Sequence, residues 1–155
     1  MTKFIIRTAK ADDVQAIVEL LADDILGAGR ETASGNQLDA YVAAFAEIEA
    51  DPNNDILVAD TSGRVVGCLQ LTVIPGLSIS ATKRGQIESV RVAADMRGTG
   101  LGEQLIEAAI DLARSRGCKL MQLTSNKVRA DAIRFYEKLG FTATHEGFKK
   151  SLAED

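Results

Sequence analysis

The sequence predicts a single α/β domain over residues 1–155, built on a mixed, mostly antiparallel central sheet with helices on both faces. Three observations predict it. The hydrophobic periodicity runs in the order βααβββαβαββ. Two stripes at helical spacing precede the first long strand signals. In the second half a Gly-rich turn joins a strand directly to a helix. The composition, 46% hydrophobic and 26% charged, is that of an ordinary soluble globular chain. At this length a core forms without disulfides or metals.

Phe4-Ile5-Ile6 reads as a short strand. Asp12 is placed to cap the next helix, whose Val14, Ile17, Val18, Leu21 and Ile25 form one apolar stripe. Gly27-Ala28-Gly29 breaks it. A second amphipathic helix follows Asn36, with Leu38, Tyr41, Val42, Phe45 and Ile48 on one face, and Pro52-Asn53-Asn54 ends it. Ile56–Ala59 and Val65–Ile74 are strands joined by Thr61-Ser62-Gly63-Arg64, a hairpin signal. Pro75 to Gly85 reads as a loop.

Gln86–Val92 is the next strand. Simple alternation puts Ile87, Ser89 and Arg91 on one face and Gln86, Glu88, Val90 and Val92 on the other. The helix after the Gly-rich turn carries Leu101, Leu105, Ala108, Ala109 and Leu112 inward, and Gly117 ends it. Leu120–Leu123 is a strand, and Ala130–Leu139 is a helix ended by Gly140. Phe141–Leu152 reads as a last hairpin, whose apolar edge offers a homodimer seam by sheet extension.

Residues 1–60 hold twelve acidic against four basic side chains, a net of −8, and the remainder nets +4. An acidic half attracts a cation and a basic half an anion. Overall acidity speaks against nucleic acid as a partner, which needs clustered Lys and Arg. No run reaches the ~18 apolar residues of a membrane span. Met1 to Arg7 lacks the apolar core of a secretory leader. Cys68 and Cys118 have no metal-ligand spacing and read as buried thiols of a reducing cytoplasm. No metal is implied.

The strongest chemical signal is Arg97-Gly98-Thr99-Gly100-Leu101-Gly102-Glu103. Its glycines allow a tight turn and close approach of a ligand. The first N–H groups of a helix lack internal partners and suit a phosphate. Arg97 adds a positive charge. A Walker A loop would need Gly-Lys-Ser/Thr, which is missing. A Rossmann turn would want glycine where Glu103 stands and an acid about 20 residues on.

Arg97-x-x-Gly100-x-Gly102 after Val90-Arg91-Val92 resembles the pyrophosphate motif of the GNAT superfamily of N-acetyltransferases. Arg129-Ala-Asp-Ala-Ile-Arg-Phe-Tyr-Glu-Lys-Leu-Gly-Phe141 is similar to that family's C-terminal motif. The specific likeness covers roughly residues 86–141. It implies that acetyl-CoA is the co-substrate and that an amine, small or peptide, is the acceptor. It implies that the strand before the turn splays from its neighbour. Val90 and Val92, with Arg91 between them, would then offer backbone groups to pantetheine and to the oxyanion. The amides of Arg97, Gly98, Thr99, Gly100, Leu101, Gly102 and Glu103 would hold the pyrophosphate. Asn126 matches a pantetheine contact. Arg129 stands where many members carry Asn, and a phosphate is within its chemistry. Tyr136, beside Phe135, matches the general acid that protonates the departing thiolate.

Glu88 is the candidate base, since an amine of pKa near ~10 must lose a proton before attack. Gln86 shares its face but carries no basic group. His145, the one histidine, falls in the terminal segment and is not assigned as base. Two other readings stay open: a non-enzymatic acyl-CoA sensor, and a transferase for another acyl donor or acceptor class. The loops Gly27–Asn36 and Pro75–Gly85 match no motif that names the acceptor.

Overall fold

Among the described residues five strands line up in the order β1-β2-β3-β4-β5: β1 (Ile5–Thr8), β2 (Asn54–Thr61), β3 (Arg64–Ile74), β4 (Lys83–Val92) and β5 (Cys118–Leu123). The computed structural model describes residues 3–23, 31 and 37–154. β1/β2, β2/β3 and β3/β4 pair antiparallel. The helices are α1 (Val14–Ala22), α2 (Gln37–Ala50), α3 (Ser78–Ala81), α4 (Leu101–Ser115) and α5 (Ala130–Lys138). The chain divides into two compact units, one ending at Gln122 and one beginning at Leu123.

In the first unit, alternation along β3 sends neighbouring residues to opposite faces. A Cβ added at Gly67 would meet Leu101 and Leu105, so α4 covers that face. Cys68, next along, lines a pocket with Val14, Ile17, Val18 and Phe45, so α1 and α2 cover the other. The α4 face is the deeper core, with Leu69, Leu71, Ile87, Leu101 and Leu105 almost fully buried. The buried side of α4 is Leu101, Leu105, Ile106, Ala109 and Ala113. That stripe is turned from the expected one: Ala108 and Leu112 are only half-buried.

The first helix starts differently from expectation. A 3-10 turn, Ala11–Asp13, leads into α1, and Asp12 is exposed. Asp13 is the structural acid. It accepts the Lys10 N–H at 2.7 Å. It also takes two bonds from the Arg7 guanidinium, at 2.7 and 2.9 Å. Arg7 also reaches Asp60 on β2, which ties the helix start to the sheet edge. The guanidinium holds the Asp13 carboxyl below the usual carboxylate range, against the opposing effect of burial. In α2, Phe45 is buried, but Val42 is 47% exposed and leaves the expected stripe. Ile25, the Gly27–Gly29 break and Asn36 lie outside the described residues.

Ser62 and Gly63, at φ +52 and +89, make the two-residue turn between β2 and β3. The β3–β4 connection holds α3, a single turn in which Ile79, Ser80 and Ala81 have φ of +53, +56 and +60. β4 starts at Lys83, earlier than the loop expected through Gly85.

The second unit holds α5 and the tail. Gly140, at φ +94, ends α5. Its N–H bonds to Glu137 O and the Phe141 N–H bonds to Tyr136 O, the paired closure of a Schellman motif. The expected terminal hairpin does not form: residues 142–154 carry no helix or strand. Phe148 and Leu152 are 92% and 88% exposed. Polar residues separate the few apolar ones, so no apolar face fixes a strand register. The dimer seam proposed on that hairpin therefore has no strand to extend.

Candidate active site

The strand before the Gly-rich turn is bulged. Glu88 pairs with Gln70 and Arg91 with Cys68, so Ser89 and Val90 together face the single residue Leu69. Ser89 has φ +57, in the left-handed region, and its carbonyl accepts the Cys68 thiol at 3.6 Å. The extra residue inverts the later alternation. Arg91 joins Gln86 and Glu88 on the α1–α2 face, and Val92, opposite Gly67, turns to the α4 face. This corrects the simple alternation, which put Arg91 with Ile87 and Val92 with Glu88.

Ala93 N–H bonds to Val66 O. Adjacent antiparallel pairs alternate between bonded and non-bonded, so Val92 directs its N–H and C=O away from β3. The Val90 carbonyl accepts the Arg91 guanidinium at 2.8 Å. Burial pushes the Cys68 thiol up to about 12, so it stays protonated and serves packing. Glu88 is exposed on the sheet face, as a group that exchanges protons with water must be.

The Gly-rich turn follows from this strand. A 3-10 turn, Ala94–Met96, buries Met96. Thr99 Oγ1 donates to Met96 O at 2.6 Å, and Arg97 N–H bonds to Ala94 O at 3.4 Å. The Arg97 amide and the Thr99 hydroxyl therefore close the turn itself. Gly100, at φ +85, is the N-cap of α4, and Gln104 N–H makes the first helical bond to its carbonyl. The amides of Leu101, Gly102 and Glu103 have no acceptor inside the helix. Nothing lies within 4 Å of a Cβ added at Gly98 or Gly100, so the approach to these amides is open. Arg97 is exposed beside them. A diphosphate fits such a mouth in charge and in donor supply.

In the second unit, Asn126 and Arg129 shape the start of α5. Asn126 Oδ1 accepts the Val128 N–H at 3.1 Å, and its backbone oxygen accepts the Arg129 N–H at 2.9 Å. Arg129 is the N-cap residue. The Tyr136 ring lies edge-on between Phe135 and Phe141, with centroids 5.1 and 5.9 Å away. The Schellman closure places Phe141 against Tyr136. His145 is exposed, and its ring Nδ1 lies 2.7 Å from Thr144 Oγ1.

The sequence reading missed a polar row on the α1–α2 face of the sheet. It comprises two hydrogen-bonded groups of side chains, Asn54 with Gln70 and Thr72, and Gln86 with Gln122. Its signal was present: polar residues recur at every second position in otherwise apolar strands. Glu31 accepts the Tyr41 hydroxyl at 2.7 Å. Among the described residues no group of three or more His, Cys, Asp or Glu could hold a metal ion. No helix among them is long and apolar enough to cross a membrane.

Comparison with known proteins gives the family. Residues 15–141 match the acetyltransferase (GNAT) family model. The aminoalkylphosphonate N-acetyltransferase of Salmonella typhimurium is 32% identical over 149 residues, covering 95% of this chain and 90% of that protein. The glucosamine 6-phosphate N-acetyltransferase of Trypanosoma brucei brucei is 40% identical over 85 residues, 55% of each chain. A crystal structure described as a transcriptional regulator from Bacillus halodurans C-125 superposes with a TM-score of 0.94 at 45% identity, covering 97% of this chain and 100% of that one. This chain belongs to the GNAT family of N-acetyltransferases, and it is an acyltransferase enzyme.

Proposed function

We propose that the chain transfers the acetyl group of acetyl-CoA directly to a small primary amine, as one catalytic domain. The open Gly-rich turn carries this reading. It ends in amides that lack helical acceptors, has Arg97 beside it, and follows a bulged strand. Leu101, Gly102 and Glu103 amides hold the pyrophosphate, with Gly98 and Gly100 giving it access. The Val92 backbone, directed away from β3, serves pantetheine and the oxyanion. Asn126, Arg129 and Phe135 complete the cofactor contacts. The matched family region, 15–141, runs across the boundary between the units, which supports the one-domain reading.

Glu88 accepts the ammonium proton, through water. The amine attacks the thioester carbonyl, and Tyr136 protonates the departing sulfur. The net −8 of residues 1–60 favours approach of an ammonium ion. The named acceptors of the Salmonella and Trypanosoma relatives are both small amines, which supports a small-molecule acceptor here. The buried thiols Cys68 and Cys118 support a reducing compartment, the cytoplasm.

Two measurements test the reading. Acetyl-CoA raises the melting temperature by mass action, and Gly100→Asp abolishes the rise by placing bulk and negative charge at the phosphate mouth. A rise that survives Gly100→Asp moves the cofactor elsewhere. Glu88→Gln costs about 10²–10⁴-fold at neutral pH and recovers as the free amine grows abundant. The same fractional loss at every pH makes Glu88 a binder.

A further inference from the structure

The structure assigns Gln86 a part in choosing the acceptor: with Gln70 it makes Glu88 the centre of a site for a primary amine bearing a hydrogen-bond-accepting oxygen a few bonds from its nitrogen. This deepens the reading above and rests on Glu88 meeting the amine.

An amide side chain has a donor end and an acceptor end, and its neighbours decide which end faces out. On the α1–α2 face of the sheet, Gln86 and Glu88 of β4 stand opposite Thr72 and Gln70 of β3. A chain of hydrogen bonds fixes each glutamine, and the two chains end on opposite charges. One ends on Asp51, whose carboxylate only accepts. Asn54 Nδ2 donates to Asp51 at 2.7 Å, so Asn54 Oδ1 is left for its other neighbours. It accepts Gln70 Nε2 at 3.2 Å and the Thr72 hydroxyl at 2.6 Å. Gln70, its nitrogen engaged, presents Oε1.

The other chain ends on Arg84, whose guanidinium only donates. It gives Nη1–H to Gln122 Oε1 at 3.3 Å. Gln122 Nε2 then donates to Gln86 Oε1 at 2.7 Å. Gln86, its oxygen engaged, presents Nε2. The carboxylate anchor and the guanidinium anchor thus turn the two amides in opposite senses, with Glu88 beside both.

An ammonium group carries three N–H donors. Glu88 and Gln70 Oε1 are both acceptors, and a cross-strand pair sets their Cβ atoms about 4.5–5.5 Å apart. Gln86 sits two residues along the same strand, about 6.8 Å from Glu88. Its outward N–H asks for an oxygen on the substrate. An amine with an anionic or carbonyl oxygen a few bonds away satisfies all three groups, and a plain alkylamine leaves Gln86 unmatched. An open hollow of about 510 Å³, lined by Glu47, Asp51, Asn54 and Gln70 among others, gives the substrate body room beside Gln70.

The test compares kcat/KM for 2-aminoethylphosphonate and n-butylamine. The protein prefers the phosphonate by about 10–100-fold, the range for one hydrogen bond to a charged group. Gln86→Leu brings the ratio close to one. Arg84→Met frees Gln122 and Gln86 to turn either way and lowers the ratio several-fold, while Arg84→Lys retains it. A second readout needs no turnover. In the CoA-bound protein, the Gln86 side-chain amide resonances shift on titration with 2-aminoethylphosphonate. A ratio near one in the unmodified protein, an unchanged ratio in Gln86→Leu, or unmoved Gln86 resonances overturns the assignment. Failure of the transferase reading looks different: no thiol is released with any amine, and the titration alone then decides the role of Gln86.

Discussion

Gly67→Ala probes the seat on which the mouth proposed for the cofactor rests. The added Cβ would lie 2.6 Å from Leu101 Cδ2, 2.9 Å from Leu105 Cδ1 and 3.3 Å from Arg91 O. Both leucines are almost fully buried, so they have no free space to enter. α4 must lift from β3, or the strand must bend. Overpacking of this kind costs about 1–3 kcal/mol. Stiffening of the unfolded chain returns about 0.4–1 kcal/mol. At the midpoints of these ranges the net loss is about 1.3 kcal/mol, or roughly 3–5 °C in melting temperature for a chain of this size. Leu101 directly follows Gly100, so the same displacement disturbs the amides proposed for pyrophosphate. Acetyl-CoA affinity should fall several-fold, read by calorimetry. Gly63→Ala is the control. It meets nothing within 4 Å but strains a residue at φ +89 in the distant hairpin. It should lower the melting temperature comparably and leave the affinity unchanged. A Gly67→Ala protein that melts like the unmodified one would refute the seating of α4 on Gly67. Equal affinity losses in both variants would refute the link from seat to mouth.

Asp13 gives a pH prediction. Its folded-state carboxyl is lowered by Arg7, so its stabilisation is complete above the unfolded value of 3.8 and is lost as pH falls through the lower folded value. Asp13→Asn should cost about 1.5–3 kcal/mol at pH 7 and flatten the loss of stability below about pH 4 in urea melts. An unchanged acid slope would remove Asp13 from that role. Gly140→Ala should destabilise α5 by about 1–2 kcal/mol, since φ is +94 there. It should also lower kcat more than it changes the KM for acetyl-CoA, because the closure it strains holds Phe141 against Tyr136. Equal effects on both constants would show that the closure only stabilises the helix.

Much of this was legible in the sequence because it depends on local signals. The helix-opening Gly100, the helix-closing Gly140 and the Ser62-Gly63 turn all sit where residue type dictated backbone geometry. Strand and helix order followed from periodicity. The bulge was readable in principle. Polar residues fall at Arg84, Gln86, Glu88 and Arg91, two apart and then three, which is the mark of one inserted residue. Simple alternation ignored that step and so inverted Arg91 and Val92. The choice of Asp13 over Asp12 was not legible, because it depends on Arg7 and Asp60, residues brought together by β1–β2 pairing. The orientation of Gln70 and Gln86 is likewise a property of long-range neighbours. The terminal hairpin failed for the opposite reason: Phe141, Ala143, Phe148 and Leu152 are too few and too unevenly spaced to give a strand an apolar face.

The most direct test of the account is acetyl-CoA-dependent thiol release over a panel of primary amines, alcohols and amine-free buffer, with product mass measured. The account predicts release with amines only, a product heavier by one acetyl group on nitrogen, and strong loss of turnover in Tyr136→Phe. Thiol release that ignores the amine, or acetyl appearing on oxygen, would contradict it.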